Sequence, residues 1–129
     1  RPREPATVFS EMPGFVKPYY HWFNVPATYP VSDPDSPLYH IKQSARKEDY
    51  VMFKLDIDHN KLEERIVRGM LANKELLNLI DEFFWEHHIN MAPMKNIWKQ
   101  TIGPRTYQRQ SIGYFRALRQ HGIRAHSWW

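Results

Sequence analysis

Residues 50–66 read YVMFKLDIDHNKLEERI. The first eight have the period of a β-strand. Val51, Phe53, Leu55 and Ile57 fall on one side, and Tyr50, Met52, Lys54 and Asp56 on the other. Both sides begin apolar, which is the pattern of a parallel strand covered on its two faces. The period then changes to that of a helix. Leu62, Ile66 and Met70 recur at every fourth position with Val67 and Leu71 beside them, and Glu63, Glu64, Arg65 and Arg68 take the opposite side. The join carries Asp56, Asp58 and His59. Asp58 is the expected N-cap, since an acid there meets the positive end of the helix.

The same alternation continues downstream. After a break at 72-AN-73 a second helical turn, 74-KELLNLI-80, leads into 81-DEFFWEHHI-89, the second predicted strand. Pro93 and Pro104 punctuate an irregular stretch over 90–104. Residues 105–120 have helical spacing, with Ile112, Phe115 and Leu118–Arg119 toward the buried side and Gly122 as the stop. Residues 123–129 form the third predicted strand. Strand, helix, strand, helix, strand implies an α/β fold: a partial Rossmann-like parallel sheet, with strands near 50–57, 81–89 and 123–128 and right-handed crossover helices.

Ahead of this lies a different composition. Eight of the ten prolines fall in residues 1–37, together with the aromatic patch 19-YYHWF-23. Proline removes amide donors and fixes φ, so this segment is expected to be an extended or looped arm with a short strand near 19–25. Phe15, Tyr19, Trp22 and Phe23 are expected to bury against this domain or a neighbour. The domain division is therefore 1–37, the arm, and 38–129, the α/β domain, which opens with a short helix over 38–47.

Composition excludes several classes. The 129 residues amount to one ordinary domain, and 42% of them are hydrophobic, enough for a core. No cysteine is present, which rules out disulfides, zinc–thiolate sites and a thiol nucleophile, and leaves the compartment undetermined. No apolar run is long enough for a membrane span, and the first residues have no apolar signal-peptide core, so a soluble chain is expected. The chain lacks an initiator Met, and reads as processed or as a portion of a longer product. The five glycines are isolated, so neither a GxGxxG loop, a P-loop nor a Gly-x-Ser-x-Gly elbow occurs.

Ligands of open parallel sheets bind beyond the carboxyl ends of the strands. Two predicted strands end in polar clusters there: Asp56, Asp58 and His59 on the first, Glu86, His87 and His88 on the second. Neighbouring strands would place both on one rim. Asp56, Asp58, Glu86 and His87 are thus the candidate catalytic acids and bases. A divalent metal would be held there by Asp56 or Asp58 with Glu86 or one histidine, and Asp56, Asp58 and His88 are the candidate ligands. His87 and His88 are adjacent and point to opposite faces, so one ion does not take both. The local alternative has Asp58 as a helix cap, Asp56 paired with Lys54, and a histidine bonded to a backbone carbonyl. Lys54, in mid-strand, needs a carboxylate, with Asp56 or Glu86 in reach. The net charge is +4, and Arg105, Arg109 and Arg116 share one helical face, a candidate site for phosphate or RNA beside the simpler reading of a solvated face. Trp128 and Trp129 are expected to cover a sheet edge or dock on another chain.

Three segments, 51-VMFKLDIDHNKLEERI-66, 79-LIDEFFWEHHI-89 and 115-FRALRQHGIRAHSWW-129, resemble the C-terminal half of FkbM-like class I S-adenosylmethionine-dependent methyltransferases. They look closest to a group of uncharacterised eukaryotic and algal proteins of that type. The resemblance covers roughly residues 45–129, and its best motifs are the Lys-Leu-Asp-Ile-Asp and Glu-His-His strand ends. It implies that the first two strands are the adjacent fourth and fifth of that fold, with Asp56 and Asp58 facing substrate. Such proteins hold the cofactor mainly on their first three strands, through a glycine-rich loop that has no counterpart here. Where the family often has Glu-Gly, this chain has His59-Asn60. The resemblance thus implies a methyltransferase-like domain that is not catalytic alone, using S-adenosylmethionine only if another part supplies the cradle. Two alternatives stand beside it: a non-catalytic structural or assembly subunit, partnered through the arm and the terminal tryptophans, and an accessory module that binds RNA or phosphate.

Overall fold

The computed structural model describes residues 4–91, 96 and 107–128. Helix α1 (Pro5–Glu11) is followed by a 3₁₀ turn (Lys17–Tyr19) and α2 (Pro37–Ser44). Then come β1 (Met52–Leu55), α3 (Asn60–Leu71), α4 (Lys74–Leu79), β2 (Glu82–Trp85), α5 (Gln108–Gln120) and β3 (Arg124–Ser127). The strands form one parallel sheet in the order β1-β2-β3. Phe53 lies opposite Phe83, and Leu55 opposite Trp85. On the other side of β2, Phe84 lies opposite His126 and Trp85 opposite Ser127.

Each crossover helix starts and stops for a local reason. In α2, the Ser36 hydroxyl accepts from the Leu38 amide, with Pro37 in the first turn where its missing N–H costs nothing. Asn73 Oδ1 accepts from the amides of Glu75 and Leu76 and starts α4 at the expected break. Gln110 Oε1 accepts from the Tyr107 amide at the start of α5, and Gly122, at φ 92°, ends it.

The cap of α3 differs from expectation. The imidazole of His59, not the Asp58 carboxylate, accepts from the Leu62 amide at 3.2 Å. Asp58 has a left-handed backbone, φ 55°, and its Oδ1 lies 3.6 Å from His88 Nε2. Glu63 causes the turn. Its buried carboxylate accepts from the amides of Ile57 (3.0 Å) and His59 (3.4 Å), and from Trp85 Nε1 (2.9 Å). Those bonds pull the chain out of the ladder after Leu55, so β1 is shorter than the predicted 50–57. β2 and β3 are likewise shorter than 81–89 and 123–128; the Glu-His-His segment lies past the end of β2.

The core lies on one face of the sheet. Leu55, Phe83, Trp85 and Ala125 meet Ile66, Val67 and Met70 of α3, Leu76 and Leu77 of α4, Phe115 and Leu118 of α5, and Leu38 of α2. Phe83 and Trp85 are wholly buried, each worth about 1.5–3 kcal/mol or more. The turn of α5 toward the core is displaced by one residue from expectation. Ser111 is buried and Ile112 is 56% exposed, because Phe115 and Leu118 set the inward side.

The opposite face does not match the pattern of a strand covered on both sides. Tyr50 and Met52 are exposed, and among the described residues Lys54, Phe84, Arg124, His126 and Trp128 share that outward side. The arm also differs. It begins with a helix, and 20–30 has no regular structure in place of the strand expected near 19–25. Phe15, Tyr19, Trp22 and Phe23 are exposed, although the Phe23 ring lies 4.3 Å from the His40 ring of α2. The chain joins the core earlier than residue 38: the Thr28 amide bonds the Asp35 carbonyl, and Ser36 is buried.

Candidate functional site

The parallel pairing of β1 with β2 brings their carboxyl ends together. The Glu86 amide still bonds the Leu55 carbonyl, so the two chains leave the sheet side by side. Asp56 follows directly on β1 and accepts a hydrogen bond from Lys54 Nζ at 2.7 Å. Asp56 lies beside Glu86. The Lys54 ammonium holds Asp56 below the usual carboxylate range, whereas burial, with Asp56 beside it, pushes Glu86 up.

His88 lies on the same side, almost fully buried. Its Nε2 is 3.4 Å from Glu86 Oε2 and 3.6 Å from Asp58 Oδ1. One donor atom from each of Asp58, Glu86 and His88 falls within 4.8 Å of the others. The Asp58 side chain is 75% exposed, so the cluster opens to solvent on that side.

His87 points the other way, as expected of its neighbour. It stacks on Trp85 with ring centroids 3.8 Å apart, lies edge-on to Tyr114 and has Nε2 3.4 Å from Glu64 Oε1. Burial pushes its pKa down to about 4, with Glu64 opposing only in part. It is a neutral ring in the core rather than a member of the rim cluster.

Of the candidate catalytic residues, Asp56, Asp58 and Glu86 therefore gather with His88, and His87 does not. Of the candidate metal ligands, Asp58, Glu86 and His88 converge, and Asp56 is not among the converging donors. Of the candidate anion site, Arg109 and Arg116 are exposed on α5, and Arg105 lies outside the described residues, as does Trp129. Trp128 lies on the outward face, edge-on to Phe84 at 5.9 Å with Lys54 Nζ 4.6 Å from its ring.

Two functional arrangements had no signal in the spacing. Glu63 looked like a solvated helix residue; its position four residues after His59, at the first turn of a helix following a strand, was the available clue. The chain of contacts from Arg124 through the Tyr50 hydroxyl to Glu82, and from Glu82 to His126 at 2.9 Å, joins residues that lie far apart in sequence.

The turn after β1 holds Asp56, Ile57, Asp58 and His59. A cleft of about 460 Å³ lies beside that turn, between Tyr29 and Pro30 of the arm and His59, Lys61 and Arg65.

No family model, no curated protein and no solved structure matches this chain. Among the described residues, no helix is long and apolar enough to cross a membrane.

Proposed function

We propose that this chain is the substrate-side part of a Rossmann-like, S-adenosylmethionine-dependent methyltransferase-like domain, and is not catalytic alone. The observation that carries the reading is the parallel order β1-β2-β3 with Asp56, Asp58, Glu86 and His88 on the shared carboxyl rim. In this reading the rim and the adjoining cleft receive the methyl acceptor, and Glu86 or Asp56 takes up the acceptor's proton. The cofactor cradle comes from other residues than these.

The complete transcript tests this. An upstream strand–Gly-x-Gly–helix segment is the expected result. A reading frame that opens just before residue 1 with no such segment would falsify the proposal. Calorimetry supplies a second check, with no binding of S-adenosylmethionine to the 129-residue chain expected.

A second reading, a structural or assembly subunit, draws on the outward face of the sheet and on Phe15 (78% exposed) and Tyr19 (82% exposed). Parallel sheets occur almost only with both faces covered. Sizing chromatography with light scattering separates the two: a stable oligomer or a co-purifying protein favours assembly, and a monomer disfavours it. Binding of RNA or phosphate through Arg109 and Arg116 is the third reading; both arginines are exposed, and the exposed Tyr107 ring lies 5.5 Å from the Arg109 guanidinium.

A further inference from the structure

We propose that Asp58, Glu86 and His88 bind a single first-row divalent cation of the zinc or manganese kind. The inference concerns the same rim as the methyltransferase-like reading but does not depend on it; with Glu86 on an ion, Asp56 is the group left to take up a proton.

Spacing is the first argument. His88 Nε2 lies 3.4 Å from one carboxylate oxygen and 3.6 Å from the other. Donor atoms held about 2.1 Å from a tetrahedral centre lie about 3.4 Å from one another, so these separations, with all three donor atoms within 4.8 Å, accommodate one ion between them.

The donor types are the second argument. An imidazole with two carboxylates is a mixed nitrogen–oxygen set. Calcium and magnesium take oxygen donors, whereas imidazole suits zinc and other first-row ions. Three protein ligands with a solvent-facing side is also the pattern of a centre that keeps a position for water or substrate. The exposed Asp58 side provides that position.

The backbone is the third. Asp58 sits at φ 55°, a conformation that L-residues adopt uncommonly and that Asp and Asn tolerate best. It is this turn that places the Asp58 carboxylate across from His88 instead of at the start of α3. Beside the three donors, Asp56 is held by Lys54 Nζ at 2.7 Å.

The test is calorimetric titration of chelator-treated protein with Zn²⁺ and with Mn²⁺, using Mg²⁺ for comparison. Saturable one-to-one binding of Zn²⁺ or Mn²⁺, much weaker for Mg²⁺, is expected. Asp58→Asn is the decisive variant, since its side chain is mostly exposed and asparagine accepts the same backbone; affinity should fall about tenfold or more with the circular dichroism spectrum unchanged. Glu86→Gln should act in the same direction, and Glu82→Gln, on the outward face, should bind as the parent does. Absence of saturable binding by either ion, or an affinity that Asp58→Asn leaves unaltered, overturns the assignment. Neither result would touch the reading drawn from the sheet.

Discussion

The two faces of the sheet use the same kinds of residue to opposite ends. On the helix-covered face, Phe83 and Trp85 are completely buried, and the polar groups among them are tied: Glu63 accepts from the Trp85 indole, and His87 stacks on that indole beneath Glu64. On the outward face, Phe84 stacks on His126 at 4.7 Å, and Trp128 rests against Phe84 and Lys54. Glu82, His126, Tyr50 and Arg124 make a polar network there. Aromatic content does not separate the two faces. What separates them is whether water has been removed. The covered face is where stability resides, and the outward face, apolar yet threaded with charge, resembles the polar-rimmed surface of a contact site.

The sharpest way to break this contrast is truncation of one ring on each face. Trp85→Ala should cost about 3–5 kcal/mol in urea denaturation, through lost burial and the cavity left behind. Phe84→Ala should cost only about 1 kcal/mol. Equal costs would mean that the outward face is covered in solution.

Acid should act on the covered face. His87 is held neutral in the folded protein, with a pKa of about 4 against the ordinary 6.5. The unfolded chain therefore takes up a proton first as pH falls, and stability declines between about 6.5 and 4 before levelling. The full effect approaches about 3 kcal/mol. The groups facing the ring are Glu64 of α3, Tyr114 of α5, and the neighbouring His88. Denaturation curves in chelator across this range should flatten in His87→Phe. A slope that survives the substitution would assign the acid sensitivity to other groups.

A smaller effect is expected where the two regions join. Glu63→Leu keeps the volume and removes the acceptor for the Trp85 indole and the Ile57 amide. It should cost about 1–3 kcal/mol in the same assay. At the bottom of the scale, Lys54→Met removes an exposed pair with Asp56 and should change stability by about 1 kcal/mol or less. A large loss there would show that Lys54 holds the rim together and not merely Asp56.

Much of the architecture was legible in advance. The change of period at residue 58 marks the strand-to-helix turn, Asn73 and Gly122 mark helix boundaries, and the alternation of elements implies a parallel sheet. From that sheet follows the meeting of Asp58, Glu86 and His88 at one edge, because parallel neighbours end on the same side. The spacing also separated His87 from His88. Which of Asp56 and Asp58 converges with Glu86 and His88 was not legible. It depends on a left-handed backbone at Asp58 and on the Lys54–Asp56 bond, and both are set by contacts with other elements. The arm was misread in part, since proline content says where amide donors are lacking but not whether aromatic rings find a surface.

The order of residues alone determined which segments alternate, which helices stop where, and which side chains come at strand ends, because these follow from local sterics and from a period of two or of 3.6. Only the tertiary structure decided which face of the sheet is dry, that Glu63 is an internal anchor rather than a solvated acid, and that His59 caps α3 in place of Asp58. Burial and hydrogen bonding across long separations are properties of what packs against a residue, and a linear pattern carries no measure of that.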